Sequence, residues 1–120
     1  GRWRIRDHVV HLSEAQSIFG QRVRRILNED QPHLASEAPY ESATREKARP
    51  DTTHEIYSEY ASQRQRFVDH IGAVPTTELW RHGHHQDFGL ISAMHQIKYM
   101  TKHEEAHFGT IRALRAALTS

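Results

Sequence analysis

The sequence predicts an all-α protein, an up-down helical bundle, on three observations. Apolar residues recur at steps of three and four along three long stretches. No stretch alternates apolar and polar residues with a period of two, and there is no Asn-Gly or Asp-Gly hairpin signal. The 120 residues carry 16 Lys and Arg against 15 Asp and Glu, a net charge of +1, so the chain lacks the charge excess of disordered sequences and reads as one domain, 1–120.

The first helix is expected over 5–28, where Ile5, Val9, Leu12, Phe19, Val23 and Ile26 share a face and Arg and Glu fill the opposite one. Residues 28–50 contain Pro32, Pro39 and Pro50 and few large apolar side chains, which predicts a surface connection, an extended crossover or lid with one short helix near 40–48. Thr52 and Glu55 have capping-box spacing ahead of Ile56, Tyr60, Phe67 and Ile71, and Gly72 and Pro75 stop that second helix. From Pro75 to Gly89 an irregular connection holds Trp80, Gly83, His84 and His85. Asp87 or Ser92 then caps a third helix that reaches Leu118 on the stripe Met94, Ile97, Met100, Phe108, Ile111 and Leu114. Three long helices leave a bundle incomplete unless residues 28–50 or a second subunit supply a fourth element.

Composition excludes several classes. Without cysteine there is no disulfide framework, no thiol nucleophile and no Cys-based zinc site, so any metal must be held by His or carboxylate. The longest apolar runs are far below the ~20 residues that span a bilayer, and no signal-peptide h-region is present, which predicts a cytoplasmic protein with no membrane partner. Basic and acidic residues interleave without a Lys/Arg stripe, so nucleic acid is not an expected partner. There is no Gly-x-Ser-x-Gly elbow and no Gly-rich phosphate loop.

The anomalous number is histidine, 11 of 120. His103 and His107 stand at i and i+4, where two imidazoles can converge on one ion. With so many histidines roughly one such pair arises by chance, so the bland alternative is a solvated polar flank. A third ligand must come from another helix, and the first helix offers His8 and His11; the helical wheel puts His8 nearer the apolar centre, and the residue left over is a core or capping histidine. Glu104 falls close to the middle of the last apolar stripe, where an unpaired carboxylate is expensive. Pairing with Arg22 or Arg64 is its foremost reading; orienting a ligand imidazole or serving as a catalytic base are the alternatives. His82, His84 and His85 read first as solvated loop residues, with His84 and Trp80 as candidates for a pocket rim. The run from His103 to His107 also matches the His-Glu-x-x-His pattern of zincin proteases, but those use it in a larger fold with a sheet edge for extended peptide, so a protease is not expected.

Taken together, Trp3-Arg4-Ile5-Arg6-Asp7-His8-Val9-Val10-His11-Leu12 resembles the Trp-Ser-x-x-Glu-x-x-x-His-Leu signature of the DinB-like superfamily. Ile26 to Pro32 resembles that family's helix end, Arg64 its helix arginine, Leu79 to His84 with Phe88-Gly89 its approach to the last helix, and His103 to Phe108 its closing His-Asp-x-x-His-Leu. The resemblance covers nearly the whole chain. It implies a four-helix bundle that holds one divalent metal ion, Zn²⁺ or Ni²⁺, on three histidines, which map to His11, His103 and His107 and displace the wheel's preference for His8. It also implies a metal-dependent enzyme, a thiol-dependent transferase or a hydrolase, acting on a small-molecule substrate with a low-molecular-weight thiol as partner. An open position on such an ion can acidify water or hold a thiol as thiolate. Family members carry another long helix before the tryptophan, so the first family helix is absent or replaced. This chain is then either a piece of a longer one or closed by residues 28–50 or by forming a homodimer. Rival readings are a non-catalytic helical stress or interaction module and a metal carrier.

Overall fold

The structure is a computed structural model and describes residues 4–35 and 52–119, without the side chains of Leu118 and Thr119. Its first element, α1, spans Ile5–Asn28, the range set by the apolar repeat. The Asp7 carboxylate reaches back to accept from the Arg4 backbone N–H at 2.7 Å and so satisfies one of the helix's orphan donors. α1 packs against both other long helices, and in its first half every residue from His8 to Ser13 is buried, while Ser17, Gln21, Arg24 and Asn28 form an exposed stripe on its second half. That position explains how polar His8, His11, Ser13 and Gln16 come to be buried beside Val9, Leu12 and Phe19.

The second helix, α2, spans Thr53–Gly72. The capping box forms as its spacing predicts: Thr52 Oγ1 accepts from the Glu55 amide at 3.1 Å and Glu55 Oε1 accepts from the Thr52 amide at 3.2 Å. Ile56, Tyr60 and Phe67 turn inward, and a 3₁₀ turn, Thr76–Trp80, follows Pro75. The last helix, α3, spans Ala93–Thr119. Ser92 rather than Asp87 caps it, its Oγ accepting from the His95 amide at 3.0 Å.

The all-α expectation needs one correction. Three short strands, β1 (His33–Leu34), β2 (His82–His85) and β3 (Gly89–Ser92), form a sheet in the order β1-β2-β3. β1 runs parallel to β2 with His33 opposite His84, and β2 runs antiparallel to β3 with Gly83 opposite Ile91. β2 does alternate, but its inward positions are Gly83 and His85, so hydrophobicity carries no period-2 signal. Glycine is required at Gly83: a Cβ there would lie 3.1 Å from Ile26 Cγ1, 3.1 Å from the Pro32 carbonyl oxygen and 3.3 Å from Leu34 Cδ1. The absent side chain lets β2 lie directly on α1.

Two apolar clusters result. The larger joins Phe19, Val23 and Ile26 of α1 to Leu34, Phe67, Ile91 and Met100; the smaller joins Val9 and Val10 to Ile56. The middle of α1, between them, faces α3. Among the described residues there are three long helices rather than four, and none is long and apolar enough to cross a membrane. The short helix expected near 40–48, and with it closure of the bundle by that segment, lies outside the described residues.

Candidate metal centre

Two turns of helix build the site. On α3, i and i+4 spacing stacks His103 over His107, with ring centroids 4.6 Å apart. On α1, His11 faces both, at 4.8 Å from the His103 ring and 4.7 Å from the His107 ring. His11 Nε2 lies 2.9 Å from His103 Nε2. One ring nitrogen from each of His11, His103 and His107 lies within 4.8 Å of the others, which makes this a group that could hold a metal ion. A four-coordinate zinc at about 2.0–2.1 Å needs its nitrogens roughly 3.3 Å apart, so small side-chain adjustments accommodate an ion. Three neutral nitrogen donors are chemistry that suits Zn²⁺ and Ni²⁺ alike.

His8, the residue the helical wheel prefers, is also buried but stands outside this group. Its Nδ1 lies 2.8 Å from Nδ1 of His107. The His103 ring is boxed from another side: Phe19 meets it edge-on at 5.5 Å and Tyr99 stacks on it at 6.1 Å. These aromatic contacts follow from apolar periodicity on α1 and from the i, i+4 step between Tyr99 and His103 on α3.

Burial disfavours the imidazolium form at His11, His107 and His8. It pushes His11 down to about 3, helped by the neighbouring charges of His103, His107 and His8. It pushes His107 down to about 4, with His103 and His8 adding to the effect. His8 is lowered by burial too, with Asp7 opposing. His11 and His107 are therefore neutral at physiological pH and can accept a cation without first losing protons.

A pH dependence of stability follows. In the unfolded chain these histidines titrate near 6.5, so between about pH 4 and 6.5 the unfolded state binds more protons than the folded one. Stability of the metal-free protein is accordingly full above pH 6.5 and falls as pH drops through that window. Urea midpoints measured in chelator at pH 7, 5.5 and 4.5 should decline more steeply for the wild type than for a His11→Gln, His107→Gln variant. Parallel profiles would contradict the assignment.

Glu104 turns to the other side of α3. Its two oxygens accept from Arg64 Nε of α2 at 2.8 and 2.7 Å, and Tyr60 Oη donates to the same carboxylate. Burial together with the Glu104 carboxylate raises the Tyr60 phenol, and the same carboxylate raises Arg64. Arg64 is thus the arginine partner; Arg22 instead donates to the Ala35 carbonyl and lies over the Phe19 ring. The tyrosine was not foreseen, although its i, i+4 spacing from Arg64 on a helix facing Glu104 is a signal that finds it. His84 stacks on His33 and bonds to Gln31 on the exposed side of the sheet, and Trp80 is exposed at the end of the 3₁₀ turn.

A family model described as the DinB superfamily matches residues 1–111. No curated protein matches this chain.

Proposed function

The chain belongs to the DinB superfamily, and on that premise we propose that it binds one divalent ion, Zn²⁺ or Ni²⁺, on His11, His103 and His107 and acts on a small molecule as a thiol-dependent transferase or a hydrolase. The observation that carries the reading is the convergence of three imidazole nitrogens from two helices far apart in the chain, all within 4.8 Å. Three protein donors leave one position of a tetrahedral ion for an exogenous ligand, and an ion so held supplies Lewis acidity that lowers the pKa of a protic ligand towards 7. With no cysteine in the chain, any thiol must come from outside.

The remaining roles belong to the protein. Nδ1 of His107 pairs with Nδ1 of His8 at 2.8 Å, which holds the ring in orientation, and in the tautomer where His107 Nδ1–H donates to His8 its Nε2 lone pair is the one available to an ion. Phe19, edge-on, and Tyr99, stacked, pack against the His103 ring and restrict its orientation. In this reading Glu104 is a clamp between α3 and α2 rather than a base, because Arg64 and Tyr60 occupy its oxygens.

The test is loading followed by turnover. Protein purified without a histidine tag should bind one equivalent of Zn²⁺ or Ni²⁺ in equilibrium dialysis. Loaded protein screened with small thiols plus electrophiles, and with esters, should form product that chelator abolishes. Binding without turnover would reassign the protein as a carrier; no binding would remove the reading altogether.

A further inference from the structure

A second feature lies on another face of α1: a mostly polar cleft of about 210 Å³ on the seam between α1 and α2. We infer that it is a binding site for a small phosphorylated polyol. The site is independent of the histidine cluster, which occupies the seam between α1 and α3.

Helical spacing builds the cleft. On α1, Gln16, Gly20 and Arg24 stand at i, i+4 and i+8 and so share one stripe, with Ser17 beside it. On α2, Gln63 is followed by Arg66 at i+3 and Phe67 at i+4. Gly20 keeps the space between the two rows open. A Cβ there would stand 3.6 Å from Gln16 Nε2 and 3.6 Å from Phe67 Cδ2, so the hydrogen in its place leaves the amide nitrogen of Gln16 at the wall. Phe67, part of the larger apolar cluster, backs the cleft.

The walls state the chemistry. Arg24 and Arg66 bring two guanidinium groups from different helices to one small space. Both side chains are exposed, and among the described residues neither has a hydrogen-bond or ion-pair partner. Like charges gathered in this way repel, and a phosphate dianion between them replaces the repulsion with two charge-assisted contacts, for which the planar fork of arginine is shaped.

Beside the charges lies an unmet acceptor. Gln63 Nε2 donates to Glu59 Oε1 at 3.3 Å, which sets the orientation of the amide and leaves its Oε1 buried without a hydrogen-bond partner. A buried acceptor calls for a donor. A phosphate dianion has none, whereas a hydroxyl supplies one. The Gln16 amide and the Ser17 hydroxyl each donate and accept, so they suit further hydroxyls. The volume falls below the roughly 300–1,000 Å³ of sites for drug-sized ligands, which limits the polyol to a few carbons.

The experiment compares glycerol 3-phosphate, methyl phosphate and glycerol by ¹⁵N NMR titration of the metal-loaded protein and of the His107→Ala variant at constant ionic strength. Glycerol 3-phosphate should bind at least 10-fold more tightly than glycerol and at least 3-fold more tightly than methyl phosphate in both proteins. Shifts should centre on Nε of Arg24 and Arg66 and on the side-chain amides of Gln16 and Gln63. Arg24→Gln combined with Arg66→Gln, exposed changes that leave folding intact, should weaken glycerol 3-phosphate at least 10-fold. Arg112→Gln, which removes a charge from an exposed position on α3, should leave it within 2-fold. Gln63→Met should abolish the preference over methyl phosphate while both still bind. Equal affinity of the wild type for the two phosphates, shifts located elsewhere, full binding in the double arginine variant, or loss of binding in His107→Ala would each overturn the site. Because the last variant reports on the cleft with the metal centre disabled, failure here and failure of the metal reading give different results.

Discussion

His107→Ala protein is expected to lose stoichiometric binding of Zn²⁺ or Ni²⁺, with affinity weakened at least about 100-fold, equivalent to about 2.7 kcal/mol. The substitution leaves two nitrogens, one on each helix, where the wild type brings three within 4.8 Å. His11→Ala should do equal damage, although 96 residues separate it from His107, because it removes the whole contribution of α1. His8→Ala should cost only about 10-fold, the usual scale for losing a residue that orients a ligand ring. The thermal shift that a bound ion confers on the folded state should vanish in the first two variants and persist in the third. Dialysis against buffered metal, with circular dichroism to verify helical content, reads all of these; wild-type affinity in either His11→Ala or His107→Ala would refute the centre.

Ile26→Ala should destabilise the protein by about 3 kcal/mol, within the 2–5 kcal/mol typical of a fully buried isoleucine. Ile26 has no solvent exposure and belongs to the larger apolar cluster. It fills the space beneath Gly83, where β2 crosses α1 without an intervening side chain. Truncation leaves a void that a β-strand lying on backbone contacts cannot collapse to fill, and the loss is a large share of the 5–15 kcal/mol that keeps an ordinary domain folded. Leu90→Ala, at an exposed position in the same sheet, should change stability by less than about 0.5 kcal/mol. Urea unfolding followed by circular dichroism compares the two, and a loss under 1 kcal/mol at Ile26 would contradict the packing of the sheet on α1.

The helices were legible because their signals are local. A 3.6-residue apolar repeat marks α1 to within its observed ends, the Thr52–Glu55 pair marks the start of α2, and Ser92 was one of two candidates for the start of α3. The sheet was not legible. Its strands are two and four residues long, and the buried positions of β2 are a glycine and a histidine, whose inward orientation reflects what α1 places beneath them. Arg64 could be read as a partner for Glu104 but not separated from Arg22, since both stand on helices that could have faced the carboxylate.

By itself, then, the order of amino acids determined which segments become helix, which faces are apolar, and that His103 and His107 project from one side of α3, since these depend on bonds and spacings a few residues long. Periodicity could not choose between His8 and His11, a choice the family resemblance made; tertiary packing alone decided that His8 pairs with His107 and that Glu104 turns to Arg64 and Tyr60. Positions three apart on a helix, such as His8 and His11, differ by only about 60°, a rotation too small for periodicity to rank, and the choice falls to which neighbouring helix supplies a group within hydrogen-bonding distance.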